Sequence, residues 1–223
     1  MIVAIHQPLY LPYYGFFQKA AQADTFVFLD NVQYSNNNWQ DYNTIKTPQG
    51  TMRLRVPVEV RFGQKICEAR PRDELRWAAK HKKVIEMNYR RAKHFEEVSS
   101  SIFGIIGSPH SSLAELNVAL CREFIRRMGL KTNLVLASSL QVSGKKEGLV
   151  IDICKELKAT EYLSGRGAAA YQQGDHFTEN GIELTYLEPK EPSYKQLWGT
   201  PAAGLSFLDY FMNSGFRRPA EWE

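Results

Sequence analysis

Apolar residues recur along this chain at two spacings, and the switches between them mark out its elements. Ile2–Ile5 is a short apolar run that predicts a first buried strand. After Pro8 and Pro12, Tyr13–Ala23 (YYGFFQKAAQA) carries apolar residues at helical spacing and stops at Asp24. Thr25–Leu29 (TFVFL) is a continuous β-branched and aromatic run, expected to be buried on both faces. Strand, helix and strand in succession make a βαβ unit with a right-handed crossover. Farther on, Thr51–Val58 alternates Met52, Leu54, Val56 and Val58 with Thr51, Arg53, Arg55 and Pro57, the pattern of a half-exposed strand. Pro48-Gln49-Gly50 ahead of it predicts a hairpin. From Asp73 to Met128 the spacing turns helical, through Trp77, Ile85, Tyr89, Phe103, Ile106, Leu113, Leu116, Leu120 and Phe124. Ser108–Ser112 separates two of these helices and offers a serine N-cap. The last third alternates again: strand at Asn133–Ala137, helix at Gly148–Leu157, strands at Glu161–Leu163 and Glu183–Leu187, and a helical pattern over Ala202–Asn213. The expected class is α/β, an open and mostly parallel sheet with a helical insert around 73–130 and a small β-hairpin, as one domain over 1–223.

Composition narrows the functional classes. With 43% apolar and 23% charged residues the chain is expected to be globular rather than disordered. No apolar run approaches the roughly 20 residues of a membrane span. Met1–Pro8 lacks a basic segment followed by an apolar one, so a cytoplasmic location is expected. Lys and Arg number 28 against 24 Asp and Glu, and the densest basic runs, Arg70–Arg76 and Lys80–Lys93, are broken by Asp73, Glu74 and Glu86. That is a solvated face rather than a nucleic-acid footprint, and no nucleic-acid partner is expected. Cys67, Cys121 and Cys154 are odd in number and widely spaced, arguing against a disulfide framework or a structural zinc site. Cys121 and Cys154 fall on apolar helical faces as core thiols. His81, His94, His110 and His176 lack metal-ligand spacing, so no metal is expected.

Candidate chemistry begins where the first strand ends. His6 closes that strand, and Gln7-Pro8-Leu9-Tyr10-Leu11-Pro12 leads into the helix. The imidazole is thereby expected at the carboxyl edge of the sheet, where open α/β sheets bind ligands. There it can donate to an oxyanion or act as general base near neutral pH, or merely bond a backbone carbonyl. Asp30 ends the second strand on the same edge, followed by Asn31 and Gln33. It can hold a hydroxyl, an amine or a magnesium-bound phosphate, or cap the turn. Ser35–Lys46 (SNNNWQDYNTIK) joins amides to Trp39, Tyr42 and Lys46, which suits a sugar or base stacked on an aromatic face, or a plain solvated loop anchored by its tryptophan. Ser164-Gly165-Arg166-Gly167 runs from a strand into a helix, an arrangement that can cradle an anion or form only a tight turn. Ser138-Ser139 and Lys145-Lys146 follow the preceding strand as further donors or solvated groups. Asp209, amid Leu205, Leu208 and Phe211, reads as a cap or ion-pair partner ahead of a catalytic group.

Several of these stretches together resemble the WbqC-like family. They are His6-Gln7-Pro8-x-Tyr10-Leu11-Pro12, Gly15-Phe16-Phe17, Asp24–Asp30, Val32-Gln33-Tyr34, Trp39 with Ile45-Lys46-Thr47-Pro48-x-Gly50, and Val56-Pro57-Val58. The likeness continues through Tyr162-Leu163-Ser164-Gly165, Tyr171, Phe177, Gly181-Ile182, Tyr194-x-Gln196-Leu197 and Leu205–Asp209, and so covers nearly the whole chain. The resemblance implies a bacterial protein of surface-polysaccharide or natural-product biosynthesis that joins an amino acid such as glycine to an amino sugar. It points to His6 and Asp30 as catalytic and to Gln7, Tyr10, Gln33, Trp39, Lys46, Ser164, Gly165, Arg166 and Gly167 as substrate-binding. One departure is Asp41-Tyr42, where the family pattern has an Arg that would grip an anion with two bonds. The order of strand, histidine loop, helix, Asp and buried strand is also similar to adenylate-forming ligases such as pantothenate synthetase. That likeness implies a Rossmann-like, nucleotidyltransferase-like sheet and raises ATP as a cofactor. Pro8 and Leu9 stand where the glycine and second histidine of the H-x-G-H motif would be.

These residues give three expectations. The first is a transferase forming an amide between a small acyl or aminoacyl donor and an amine. In it His6 deprotonates or orients the amine, Asp30 holds the incoming ammonium, and the Gly165–Gly167 amides with Arg166 face the oxyanion. The second is an ATP-dependent amide ligase acting through an acyl-adenylate. The third is a non-catalytic subunit binding a sugar nucleotide or a partner. A carrier protein or pathway enzyme is the macromolecular partner these readings call for, beside a small-molecule substrate.

Overall fold

Strand residues alternate between two apolar layers, and that alternation decides what covers each face of the sheet. The computed structural model describes residues 1–36, 38–59 and 61–222, without the side chain of Tyr171. Asn37 of the amide-rich loop, and the side chain of Tyr171 in the quoted motif, therefore lie outside the described residues. In chain order the elements are β1 (Ile2–His6), α1 (Tyr14–Gln22), β2 (Thr25–Phe28), β3 (Tyr42–Thr47), β4 (Gly50–Arg55), β5 (Val58–Glu59) and β6 (Arg70–Pro71). Three helices follow, α2 (Trp77–Tyr89), α3 (Phe95–Gly107) and α4 (Leu113–Arg127). Then come β7 (Asn133–Leu136), α5 (Glu147–Glu156), β8 (Glu161–Gly165), α6 (Gly174–Glu179), β9 (Glu183–Leu187) and α7 (Phe207–Ser214).

Five strands form one all-parallel sheet in the order β7-β2-β1-β8-β9, while β3–β4 and β5–β6 are small antiparallel pairs. The class is α/β, as the spacing predicts. Val3, Ile5, Val27 and Tyr162 pack with Leu149, Ile153, Cys154 and Phe177 of α5 and α6. Ala4, Phe26, Phe28 and Leu163 face the other way, onto Phe16, Phe17 and Ala20 of α1 and the helical insert. Crossovers to a parallel neighbour are right-handed, so reversing the winding direction moves the connecting helix to the opposite face. From β1 the chain winds through α1 to β2; from β7 it returns through α5 to β8 and onward through α6 to β9. That reversal puts a topological switch point between β1 and β8, the place where open parallel sheets bind ligands.

The insert closes one face through α2, α3 and α4. Ser112 caps α4, its Oγ accepting from the Glu115 N–H at 3.1 Å. Three expectations shift. The strand expected over Thr51–Val58 ends at Arg55, since Pro57 has no N–H to continue a ladder, and Val58–Glu59 pairs separately with Arg70–Pro71. Met52 is 43% exposed although it shares a face with buried Leu54, because it lies two residues from the hairpin turn, past the core that covers Leu54. The last helix starts at Phe207 rather than Ala202: Gly204 takes a φ of +69°, and Ser206 caps the helix through the Leu208 N–H at 3.2 Å. Among the described residues, no helix is long and apolar enough to cross a membrane.

Candidate functional site

The ladder between β1 and β8 pairs Ile2–Ala4 with Glu161–Leu163 and stops there, although both strands continue. The Ile5 carbonyl is therefore left without a strand partner on that side, and Lys19 of α1 supplies one, its Nζ donating at 2.7 Å. Where the strands part, a cavity of about 330 Å³ opens, lined by His6 and Gln7 from the end of β1, Tyr13 and Lys19 from around α1, and Leu29 after β2. Ser164, Gly165, Gly167 and Gln172 close it from the end of β8. Beyond its own neighbours along the chain, a Cβ at Gly165 or Gly167 would meet nothing within 4 Å, so these glycines leave open space.

His6 donates Nδ1–H to the Gln7 carbonyl at 2.9 Å, since a carbonyl can only accept. This fixes the tautomer and leaves the Nε2 lone pair as the ring's other polar feature. Burial, then the nearby Lys19 charge, push its pKa down to about 3 against the partial support of the Gln7 carbonyl, so the ring is neutral across the physiological range. Lys19 is 4% exposed, and burial lowers its pKa to about 7. Its Nζ lies 6.0 Å from the centre of the Tyr162 ring. No carboxylate forms an ion pair with it among the described residues. Tyr13 rests against both His6 (ring centres 6.5 Å apart) and half-exposed Trp39 (5.1 Å), making an aromatic lip.

Of the residues singled out in the sequence, His6, Gln7, Ser164, Gly165 and Gly167 line this cavity together. Gln7 Oε1 accepts from buried Gln40 Nε2 at 2.7 Å, and Ser164 Oγ donates to Gln172 Oε1 at 2.9 Å, so both side chains are held. Trp39 reaches the cavity through Tyr13. Arg166 pairs with Glu188 instead, and the helix it opens is a short 3-10 segment, Arg166–Tyr171. Asp30 sits at the same sheet edge but accepts from the Ser138 N–H (2.9 Å) and Oγ (2.6 Å), and lines a separate hollow with Cys67 and Arg122. Tyr10 is buried, bonded to His81 Nδ1 at 2.8 Å. Gln33 is exposed, in a bridge to Lys65.

Lys46 belongs to another buried cluster. Its Nζ donates to the Thr200 carbonyl at 2.7 Å, and its N–H donates to Tyr89 Oη at 3.0 Å. Tyr89 and Tyr194 in turn donate to the Asp209 carboxylate at 2.6 and 3.0 Å, with Asn213 bonded to it as well. Burial raises the Asp209 pKa against these hydrogen bonds and the Lys46 charge. Asp41, the departure from the family pattern, pairs with Arg55 at 2.9 Å and accepts from Tyr34 at 2.7 Å. A larger depression of about 570 Å³ beside β5–β6 is lined by Glu59, Arg61, Glu68 and Arg70 with uncharged Gln64, Cys67 and Ser111, and Glu59 and Arg61 pair with each other. It holds none of the candidate residues named above.

Lys19 is the residue the sequence reading passes over. Its signal is spacing: at i+3 from Phe16 and one position before Ala20, it lies on the buried stripe of α1, where a lysine is out of place.

The chain is 35% identical over 221 residues to the uncharacterized protein Rv1507c of Mycobacterium tuberculosis, covering 97% of this chain and 95% of that one. No solved structure matches it. The model of the WbqC-like protein family matches residues 7–221, from Gln7 beside the histidine through to the C-terminal 3-10 turn, and the chain belongs to that family.

Proposed function

We propose that the protein is a transferase that forms an amide, joining a small acyl or aminoacyl group to an amine carried by an amino sugar or similar metabolite in polysaccharide or natural-product biosynthesis. The observation that supports this reading is a neutral imidazole and a buried amine without a carboxylate partner sharing one small cavity at the switch point. An amine attacks an acyl carbon only as its free base, so the site must accept a hydrogen bond from it and take up a proton. His6 Nε2 accepts the bond and orients the attacking nitrogen; its low pKa suits it to positioning more than to holding the proton. Lys19, with a pKa of about 7, takes the proton, and as an ammonium it faces the oxyanion formed as the acyl carbon becomes tetrahedral. Collapse of that intermediate expels the donor's leaving group. A volume near 330 Å³ fits a small acyl group, with the bulkier acceptor lying outward against Tyr13 and Trp39. Asp30, engaged with Ser138, has no part in this scheme.

The test is mass-spectrometric detection of amide product from glycyl and acetyl thioesters offered with amino sugars. His6→Ala and Lys19→Met are each expected to lower turnover by about 10²-fold or more while folding survives, the usual worth of a general base. A fully active His6→Ala protein removes the role given to the imidazole. Acid-dependent exchange of pyrophosphate into ATP replaces the transferase by an adenylate-forming ligase.

A further inference from the structure

Among the described residues, Lys19 is enclosed without an anion to balance it: its ammonium has one hydrogen bond, to a neutral carbonyl, and no described carboxylate lines the cavity it faces. The titratable groups around it are His6 from β1, Tyr13 from the loop before α1, and Tyr162 from β8. All are uncharged at neutral pH, His6 because its pKa is about 3, Tyr13 because burial raises its own, and Tyr162 because its is pushed up to about 12. Arg166 is paired with Glu188 and does not line the cavity, so the ligand meets a single positive charge. A buried charge left unpaired is costly, and a ligand that completes an ion pair there gains what the empty site lacks. One cation in a small cavity matches one carboxylate better than a di- or triphosphate, which calls for several cations.

We infer that the cavity between β1 and β8 binds a small organic acid, its carboxylate paired with Lys19 and its remaining atoms lying beside Gly165 and Gly167. This rests on the reading above for its site and deepens it: the carboxylate of a free acid stands where the oxyanion of the transferred acyl group would face the Lys19 ammonium. Binding carries a proton: above pH 7 the free amine must take one from solvent to form the ammonium–carboxylate pair.

The experiment is isothermal titration calorimetry of the full chain with acetate, glycolate and glycine, beside acetamide and inorganic phosphate. Titrations at pH 8 in Tris and in Hepes, whose ionisation enthalpies differ, count the protons taken up. At least one acid is expected to bind saturably while acetamide does not, with close to one proton taken up per site at pH 8. Affinity is expected to stay level below pH 7 and to fall about tenfold per pH unit above it. Lys19→Met should weaken acid binding by at least tenfold, and the buffer comparison on the wild-type protein stands without that variant. Four results each overturn the inference: no acid binds, acetamide binds as well as the acids, uptake at pH 8 is absent, or phosphate binds more tightly. Acid binding without amide product sinks only the transferase reading, and amide product without acid binding sinks only this one.

Discussion

Replacing Lys19 with methionine should make the fold more stable near neutral pH, and the size of the gain can be worked from its surroundings. A pKa of about 7 in the folded chain, against the usual lysine value of 10.5, means that holding the ammonium inside costs roughly 4–5 kcal/mol, at about 1.4 kcal/mol per pH unit. Methionine keeps the unbranched shape but abandons the Ile5 carbonyl, and an acceptor so orphaned costs about 1–3 kcal/mol. The net expectation for Lys19→Met at pH 6.5 is a stabilisation of roughly 1–4 kcal/mol. The sign follows the protons. The folded pKa is depressed, so the unfolded chain binds more protons between pH 7 and 10.5, and the wild type gains stability as pH rises through that window. At pH 10 most of the cost has gone, and Lys19→Met should be no better than the wild type or slightly worse. Urea unfolding followed by tryptophan fluorescence, at pH 6.5 and pH 10, measures both differences, and other groups cancel because both chains carry them. A variant less stable at both pH values, or a difference that does not move with pH, refutes the account of Lys19 as a desolvated amine.

His6 follows the same logic at lower pH. Its folded pKa is depressed to about 3 from 6.5, so its contribution is whole above pH 6.5 and is lost as pH falls toward 3. Replacing it with asparagine should therefore flatten the stability-versus-pH curve in that window, as read from urea midpoints at pH 7 and 4.5; an unchanged slope would mean a solvated ring. Asp30→Ala should destabilise by about 1–3 kcal/mol through the two bonds to Ser138 and leave acid affinity within twofold; lost affinity at unchanged stability would return Asp30 to the site. Tyr89→Phe removes a donor from buried Asp209 and an acceptor from the Lys46 N–H, for about 1–3 kcal/mol, with turnover unaffected; a neutral result in thermal unfolding would show that water replaces the hydroxyl. Ser112→Ala should lose about 1 kcal/mol, the usual worth of an N-cap, and a cost near zero would mean that Ser111 and Glu115 close the helix end without it.

How much of this was legible before the fold was known depends on how local each signal is. The strand runs at Ile2–Ile5 and Thr25–Leu29, the helix between them and the N-cap near Ser112 all rest on neighbours in sequence, and the structure has them within a residue or two. His6, Gln7 and Ser164–Gly167 were legible as strand ends, because in a parallel sheet every strand end falls on one edge whatever the strand order. Strand order, however, is set by long-range packing. Only once β8 is known to lie beside β1, and β2 on β1's other flank, do His6 and Gly165 share a cavity from which Asp30 is absent.

The same dependence explains why the sequence pointed to Arg166 and Lys46 as cations of the site while the proposed site turns on Lys19. An arginine between glycines at a strand end carries the local look of an anion site, but it is exposed and Glu188 is within its reach. Lys19 has no such local look, being one charge in an apolar helix. It becomes informative only when the β1–β8 ladder is seen to stop at Ala4, leaving the Ile5 carbonyl unpaired and an amine in its place. A chain selected for stability alone would put a leucine or methionine there and close the gap. A desolvated lysine in that position, bonded to a carbonyl and facing a cavity, is the observation on which the proposed ligand rests, whatever that ligand becomes.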